Sequence, residues 1–425
     1  MLLTTLAILI FVFVLIVDIA HYVTMFGFLR KMRIKEWQSP ATPYEPKAAV
    51  LLTLRGADPF LARCVEGLMR QKYKDYTIFF IVDHESDPAL PVVNALLEQY
   101  PEQNHCVVVV QNHFDTCSLK CNSLYHLLDS LDESFEVVAT IDADAIPKEN
   151  WLRELVEPLS DPRFGVASGI RWYLPERNTM GSLVRRLWNI AAVNQMVFCR
   201  IPWGGSLVLR KDVFRQPEMK DMLCRSFSDD VPLYALARSL GKQVVVTPSL
   251  LMVNREQISL CSFYEWVKRQ VMCARFYHPR WTLLVAQAFF LTVPLLVAFV
   301  LGLVGLWRQE MSLASWSFCA IALYILGVLG ALLIMDGDVR KYLRSRGETL
   351  PPQSCGVILK TTLAVALTQL VYSCAIVGVF RMSQVWWRGV CYVLEGKGKV
   401  RLVEYIPYAD LAQSQNPSTD ETVSL

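Results

Sequence analysis

Val137-Val138-Ala139-Thr140-Ile141-Asp142-Ala143-Asp144-Ala145-Ile146 is the stretch on which the reading of this chain turns. Its β-branched and small apolar residues favour a buried strand, and the run ends on two carboxylates at positions i and i+2. At a strand end, where the chain is turning, Asp142 and Asp144 can jointly approach one hard divalent cation that also binds a diphosphate. An Asp-x-Asp triplet arises easily by chance in a chain of this length, so its placement after a buried strand carries the argument.

Upstream of this edge, β-rich runs alternate with helical patterns: Ala48–Leu54, a helix from Pro59 to Gln71, Tyr76–Val82, a helix from Leu90 to Tyr100, Cys106–Val110, and a helix near Leu119–Leu131. Such alternation predicts a mostly parallel sheet with helices on both faces, where ligands bind beyond the carboxyl ends of the strands. Function is therefore expected just after Leu54, Val82 and Ile141. Arg55-Gly56-Ala57-Asp58 follows the first strand, and Asp83 with Asp87 follows the second. Carboxylates there suit hydrogen bonds from a ribose or base edge, and they equally suit turns beside Pro59 and Pro88.

Two further segments bear on chemistry. Ser228-Asp229-Asp230 precedes a helical pattern, Val231–Leu240, closed by Gly241. Acidic residues here cap a helix and complement its dipole. The functional reading is that Asp230 projects into the cleft and removes the proton from an acceptor hydroxyl. Trp203-Gly204-Gly205-Ser206 is a glycine turn beside an aromatic ring, read either as a plain turn or as the floor of an acceptor pocket.

Composition places this machinery at a membrane. Of 425 residues, 53% are hydrophobic and only 19% charged, too apolar for a wholly water-soluble chain. A formal net charge of +3, with no long basic tract and no Cys/His finger spacing, gives no reason to expect nucleic acid. The 12 cysteines have no regular spacing and read as reduced thiols. Residues 2–29 are apolar and are followed by Arg30, Lys31, Arg33 and Lys35, the order of an anchor whose downstream segment stays cytosolic. Prolines at 40, 43 and 46 stiffen a linker.

Beyond residue 258, Ser259–Trp281 mixes aromatic and basic residues as a helix in the headgroup layer does. Trp281–Leu306 and Leu313–Met335 follow as a charge-free hairpin, and the basic loop Asp336–Glu348 fits a return to the cytosol. Thr361–Phe380 is read either as a span or as a re-entrant or surface-lying segment. The last dozen residues are polar and read as unstructured. Arg269 and Arg275 sit about 600° apart around a helix and do not share a face; either suits lipid headgroups or a diphosphate.

As a set, these segments resemble family 2 glycosyltransferases and most closely the family 21 branch that includes ceramide glucosyltransferases. Arg55-Gly56-Ala57-Asp58-Pro59 resembles the family's Gly-x-Asp turn, and Val82-Asp83-His84-Glu85-Ser86-Asp87-Pro88-Ala89 its first nucleotide-binding stretch. Lys120-Cys121-Asn122-Ser123-Leu124 resembles an element near the donor, and Asp229-Asp230 stands where the family has its acidic pair. One departure is evident: aligned on Arg269-Gln270, Met272 and Cys273 stand where Arg and Trp are expected.

The resemblance implies an α/β domain of GT-A type (nucleotide-diphospho-sugar transferase) joined to transmembrane helices. It implies a UDP-sugar donor, Mg2+ or Mn2+ held by Asp142 and Asp144, and Asp230 as base beside Asp229. Donor binding is expected from Arg55, Asp83, Asp87, Lys120, Asp142, Arg269, Gln270 and Arg275, and acceptor binding from Trp203, Gly204 and Gly205. The acceptor is expected to be a membrane lipid alcohol. A processive polysaccharide synthase and a silent membrane scaffold are the competing expectations. The expected organisation is an anchor (1–30), a linker (31–47), the GT-A domain (48–258), an interfacial helix (259–281), a membrane region (282–381) and a cytosolic or surface tail (382–425).

Overall fold

The computed structural model describes residues 1–352, 354–396 and 398–414; all of the polar last dozen except Ser414 lies outside them. Helix α1 (Leu2–Arg33) leads to β1 (Ala48–Leu54), α2 (Leu61–Met69), β2 (Tyr76–Val82), α3 (Ala89–Leu97), β3 (His105–Val109), α4 (Leu119–Ser130) and β4 (Val137–Ile141). These match the strand-helix alternation read from the sequence. The second half adds α5 (Trp151–Val156), β5 (Phe164–Tyr173), α6 (Met180–Cys199), β6 (Ser206–Arg210), α7 (Lys211–Phe214), α8 (Pro217–Leu223), α9 (Leu233–Ser239) and β7 (Gln243–Asn254).

The seven strands form one sheet in the order β3-β2-β1-β4-β6-β5-β7. β1 pairs in parallel with both β2 and β4, so Leu54, Val82 and Ile141 end on one edge. β6 runs antiparallel to β4 and sets Ser206 against Ile141. Alternate residues of β1 face opposite cores: Ala48, Val50 and Leu52 pack with α2, α3 and α5, while Ala49 and Leu51 join the core that reaches α4, α6 and the membrane helices. The catalytic layer and the membrane helices therefore share one continuous hydrophobic core.

Helix α10 (Leu260–Tyr277) lies where the amphipathic segment was expected, with Phe263, Val267 and Met272 buried. It is followed by α11 (Trp281–Trp307), α12 (Met311–Ser345) and α13 (Cys355–Phe380). With α1, these last three make four helices long and apolar enough to cross a bilayer. The segment expected as a loop from Asp336 is instead helical as far as Ser345. Asp336 pairs with Arg340 one turn on and with Arg186 of α6, which fixes the basic stretch to the catalytic layer.

Helix α13 is about 39 Å long; its first turn lies beside the catalytic layer and its last turn beside α10. Val357 lies beside Leu174 and Asn178, and the Val379 carbonyl accepts a hydrogen bond from Arg275 of α10 at 2.9 Å. The helix is also long and apolar enough to cross a bilayer, one of the two readings left open by the sequence.

The tail is a folded unit. β8 (Gln384–Trp387), β9 (Val390–Gly396) and β10 (Lys399–Tyr405) form an antiparallel sheet, and α14 (Tyr408–Ser414) follows. It packs against the edge where β1 and β2 end.

Candidate active site

The parallel register of β1, β2 and β4 gathers Arg55, Asp83 and Asp142 at one edge of the sheet. The β4–β6 pairing then lays the Trp203–Ser206 turn beside Asp142, tied down by Thr140 Oγ1 donating to the Gly204 carbonyl at 2.9 Å. The two glycines are required by close approach. A Cβ on Gly205 would overlap the Trp203 ring and Asp142 Oδ2, and one on Gly204 would overlap Asp229 Oδ2. The turn is thus the surface on which the acidic residues converge.

Lys120 ties the two acidic segments together. Ser118 caps α4 by accepting from the Cys121 N–H at 3.2 Å, worth about 1 kcal/mol to such a helix start. Two residues after the cap, Lys120 Nζ reaches Asp142 Oδ1 at 2.8 Å and Asp229 Oδ2 at 3.1 Å. Burial opposes charge on Asp142, but Lys120 more than offsets it and holds that carboxyl below the usual range. Asp229 is pushed up to about 6 by burial, against the pull of Lys120. Asp230 points to the turn: Oδ2 accepts from the Gly204 N–H at 2.8 Å, and Oδ1 accepts from the Val231 N–H at 2.6 Å and from Ser228 Oγ.

Asp144 faces Arg171 of β5, whose Nη1 lies 3.4 Å from Oδ2, and it accepts from Asn254 Nδ2 at 3.0 Å. Its Oδ1 is buried with no hydrogen-bond partner among the described residues. Burial, with Asp142 nearby, pushes this carboxyl up to about 7 despite Arg171. Arg171 sits over the Trp203 and Trp266 rings, with centroids at 4.9 and 5.5 Å. Neither Arg171 nor Asn254 was singled out from the sequence. The signal was present, since Arg171 is the lone charge in an otherwise apolar strand, and Asn254 ends the strand paired beside it.

A cleft of about 380 Å³ brings together Arg55, Asp83, Lys120, Asp142, Asp144, Trp203, Gly204, Asp229, Asp230, Arg269 and Gln270. Two expected donor residues stay out of it. Asp87 is buried and accepts from the Gly56 and Ala89 N–H groups, so it organises the turn before α3. Arg275 donates to the Val379 carbonyl and stacks on Phe380, on the membrane side.

Arg55 lines the cleft, but its donors are engaged by Asp83 and by the Arg388 and Ile406 carbonyls, so it braces the edge. Asp83 keeps a buried Oδ1 with no hydrogen bond among the described residues. Arg269 makes no hydrogen bond or ion pair with any described residue. Burial, with Arg171 and Arg388 nearby, holds it below the usual arginine range. The structure thus turns Arg269, and not Arg275, toward the cleft.

The remaining walls were not foreseen. Trp188, Ala192 and Met196 of α6, Leu284 of α11 and Tyr372 of α13 give the cleft an apolar side continuous with the membrane helices. Trp387, Arg388 and Tyr392 of the C-terminal sheet complete it. These residues are distant in sequence and carry no local motif.

Among the described residues, no three His, Cys, Asp or Glu side chains group as a metal cage. The donor set nevertheless fits Mg2+ or Mn2+, which take one or two carboxylates and leave other positions to phosphate oxygens and water. The partnerless Asp144 Oδ1 is such an oxygen.

Fold and edge together define the class: a GT-A-type domain built onto membrane helices. The chain belongs to glycosyl transferase family 21, whose family model matches residues 10–400. Over 108 residues, 25% of this chain, it is 26% identical to a ceramide glucosyltransferase of Komagataella phaffii, and the match spans 21% of that relative's length. Among solved structures it is similar to the mannosyltransferase PcManGT from Pyrobaculum calidifontis in complex with GDP-Man and Mn2+. That likeness has a TM-score of 0.50 at 16% identity and covers 87% of this chain and 99% of the other, a likeness of fold.

Proposed function

We propose that this chain transfers a hexose from a UDP-sugar to a membrane lipid alcohol, ceramide or a similar acceptor, by one inverting displacement that depends on Mg2+ or Mn2+. The observation that carries this reading is a single cleft with a charged wall at the sheet edge and an apolar wall from α6, α11 and α13. A soluble sugar nucleotide suits the first wall and a lipid the second. The ceramide glucosyltransferase relative and the nucleotide-sugar complex of the structural neighbour support it.

Charge supports the dependence on a cation. Seven acidic side chains and five basic ones line the cleft. A diphosphate entering alone would add negative charge to a site already in negative balance. A divalent cation at Asp142 and Asp144 would supply the counter-charge that the departing nucleoside diphosphate needs. Arg269, with no partner among the described residues, is placed to meet the diphosphate. Lys120 keeps Asp142 ionised and Asp229 in place.

Asp230 is the base. Its Oδ2 holds one hydrogen bond, from Gly204, and retains a lone pair for the acceptor hydroxyl proton. Trp203 floors the space where the sugar meets the acceptor. The catalytic domain faces the cytosol in this reading, on the side marked by Arg30, Lys31, Arg33 and Lys35.

The test is mass spectrometry of lipids from cells expressing the active chain or Asp230→Asn. A new hexosyl lipid only with the active chain is the expected result. A polymer in its place would make the protein a processive synthase. Identical lipids in both cultures would mean a silent scaffold or a different acceptor class, and either outcome ends the proposal.

A further inference from the structure

We propose that the hairpin tip Trp387-Arg388-Gly389 is part of the donor site, roofing the nucleoside diphosphate with an aromatic ring and a guanidinium that Met272 and Cys273 of α10 do not supply. The proposal rests on the donor reading above and adds a binding element from beyond the membrane helices. Trp387 and Arg388 line the same cleft as Asp142, Asp144 and Arg269, although more than a hundred residues and three membrane-apposed helices separate them from α10 in the chain.

The hairpin is registered to the nucleotide edge through several independent anchors. Arg55 Nε donates to the Arg388 carbonyl at 2.9 Å, and Arg388 donates back to the Arg55 carbonyl. Arg388 Nη2 also lies 3.2 Å from Asp58 Oδ2. Tyr392 Oη accepts from the Leu119 N–H at 3.0 Å, one residue before Lys120, and the Leu402 N–H donates to the Asp115 carbonyl at 2.6 Å. Tyr405 Oη donates to the Asp83 carbonyl at 3.3 Å. The contacts fall on the segments that follow β1, β2 and β3, the edge where strands end and ligands bind in α/β sheets.

The backbone at the tip points the same way. Arg388 has φ +44° and Gly389 φ +75°, the pattern of a two-residue hairpin turn that favours Asn, Asp or Gly at both positions. An arginine there works against its own backbone preference, and such outliers concentrate where a side chain has a task. What Arg388 brings to the tip is charge. It lies close enough to Arg269 to be among the cations that, after burial, disfavour the charged form of that residue. Arginines from two remote parts of the chain facing one cleft, close enough to repel, form a site for an anion. Trp387, half-buried beside them, offers the flat face that a base or sugar ring packs on.

The experiment uses the full chain in detergent with Mn2+ and measures UDP and GDP affinity by titration calorimetry, with Tm recorded for each variant. Arg388→Gly is chosen because glycine suits the turn and removes the whole side chain with its guanidinium; Trp387→Ala removes the ring. Arg401→Gln, on the exposed face of β10, is the control. The expected result is at least a tenfold loss of UDP affinity in Arg388→Gly, a smaller loss in Trp387→Ala, partial recovery in Arg388→Lys and no change in the control. UDP affinity within twofold of the unaltered chain in both Arg388→Gly and Trp387→Ala overturns the proposal. A lowered Tm alongside such unchanged affinity would assign the hairpin to bracing the fold. If the unaltered chain binds neither UDP nor GDP, the donor reading itself fails and takes the proposal with it.

Discussion

Raising the pH from 6 to 8 should tighten Mn2+ binding to the metal-free protein about tenfold, with Asp144 as the cause. Its carboxyl is pushed up to about 7 by burial and by Asp142, with Arg171 only partly compensating. Because that value lies above the 3.8 of an unperturbed aspartate, the folded chain retains a proton that the unfolded chain has released. The stability this proton contributes is present at acid pH and fades as pH rises from about 4 through 7. A cation must displace the same proton. Roughly a tenth of Asp144 is ionised at pH 6 and roughly nine-tenths at pH 8, a ratio of about ten, or about 1.4 kcal/mol.

Asp229, pushed up to about 6, also titrates in this interval, but over the same span it gains only about twofold in ionised fraction. The assay is Mn2+ titration followed by the free-ion electron paramagnetic resonance signal at pH 6, 7 and 8, with Asp144→Asn in parallel. The variant should bind more weakly and show at most the shallow slope of Asp229. Equal affinities at pH 6 and 8 in the unaltered chain, or an undiminished slope in Asp144→Asn, would refute the assignment.

Three further outcomes are expected. Arg269→Gln should raise the donor KM by about 10- to 100-fold, the scale of a lost hydrogen bond to a charged group. Arg275→Gln should leave that KM unchanged and lower Tm, because its partners are the Val379 carbonyl and the Phe380 ring; steady-state kinetics on both variants decides. Gly205→Ala should keep its circular dichroism spectrum but lose donor binding, since the added methyl overlaps Trp203 and Asp142. Asp336→Asn should cost about 3–5 kcal/mol in thermal unfolding, because it removes the counter-charge between the buried Arg186 and Arg340.

The first half of the sheet was legible because its signals are local. Ala48–Leu54, Tyr76–Val82 and Val137–Ile141 are apolar runs that end on charged or turn residues, and parallel pairing follows from helices of suitable length between them. Asp142, Asp144 and Asp230 were legible for the same reason. The second half was harder. β5 and β7 are long strands interrupted by Ser168, Gly169, Pro248 and Ser249, which read as loop, and the pairing of β5 with β6 and β7 is a matter of tertiary packing. The C-terminal sheet could not be found by pattern, because β8 and β10 alternate only weakly and the residues that anchor the sheet lie far off in sequence, at 55, 115 and 119. Arg55 and Asp87 show the limit of motif reading: the residue types were right for a nucleotide edge, but the fold spends their hydrogen bonds on holding that edge together.

The placement of the proposed base and the proposed metal carboxylate follows from one turn. Gly204 and Gly205 are neighbours, with Cα atoms about 3.8 Å apart. The first donates its N–H to Asp230, and the second lets Asp142 close against the chain. An inverting displacement needs an acceptor oxygen and a leaving oxygen on opposite sides of one carbon, and positioning of that kind lowers a barrier by several kcal/mol. Asp230 is thus held to the first glycine, while Asp142 and the Trp203 ring pack closely against the second. Lys120 bridges the loops that carry Asp142 and Asp229. The lining of the cleft includes Arg269 and Lys120 on its charged wall and Trp188 and Tyr372 on its apolar wall. In the proposed reaction a sugar nucleotide would meet the charged wall and a lipid the apolar one.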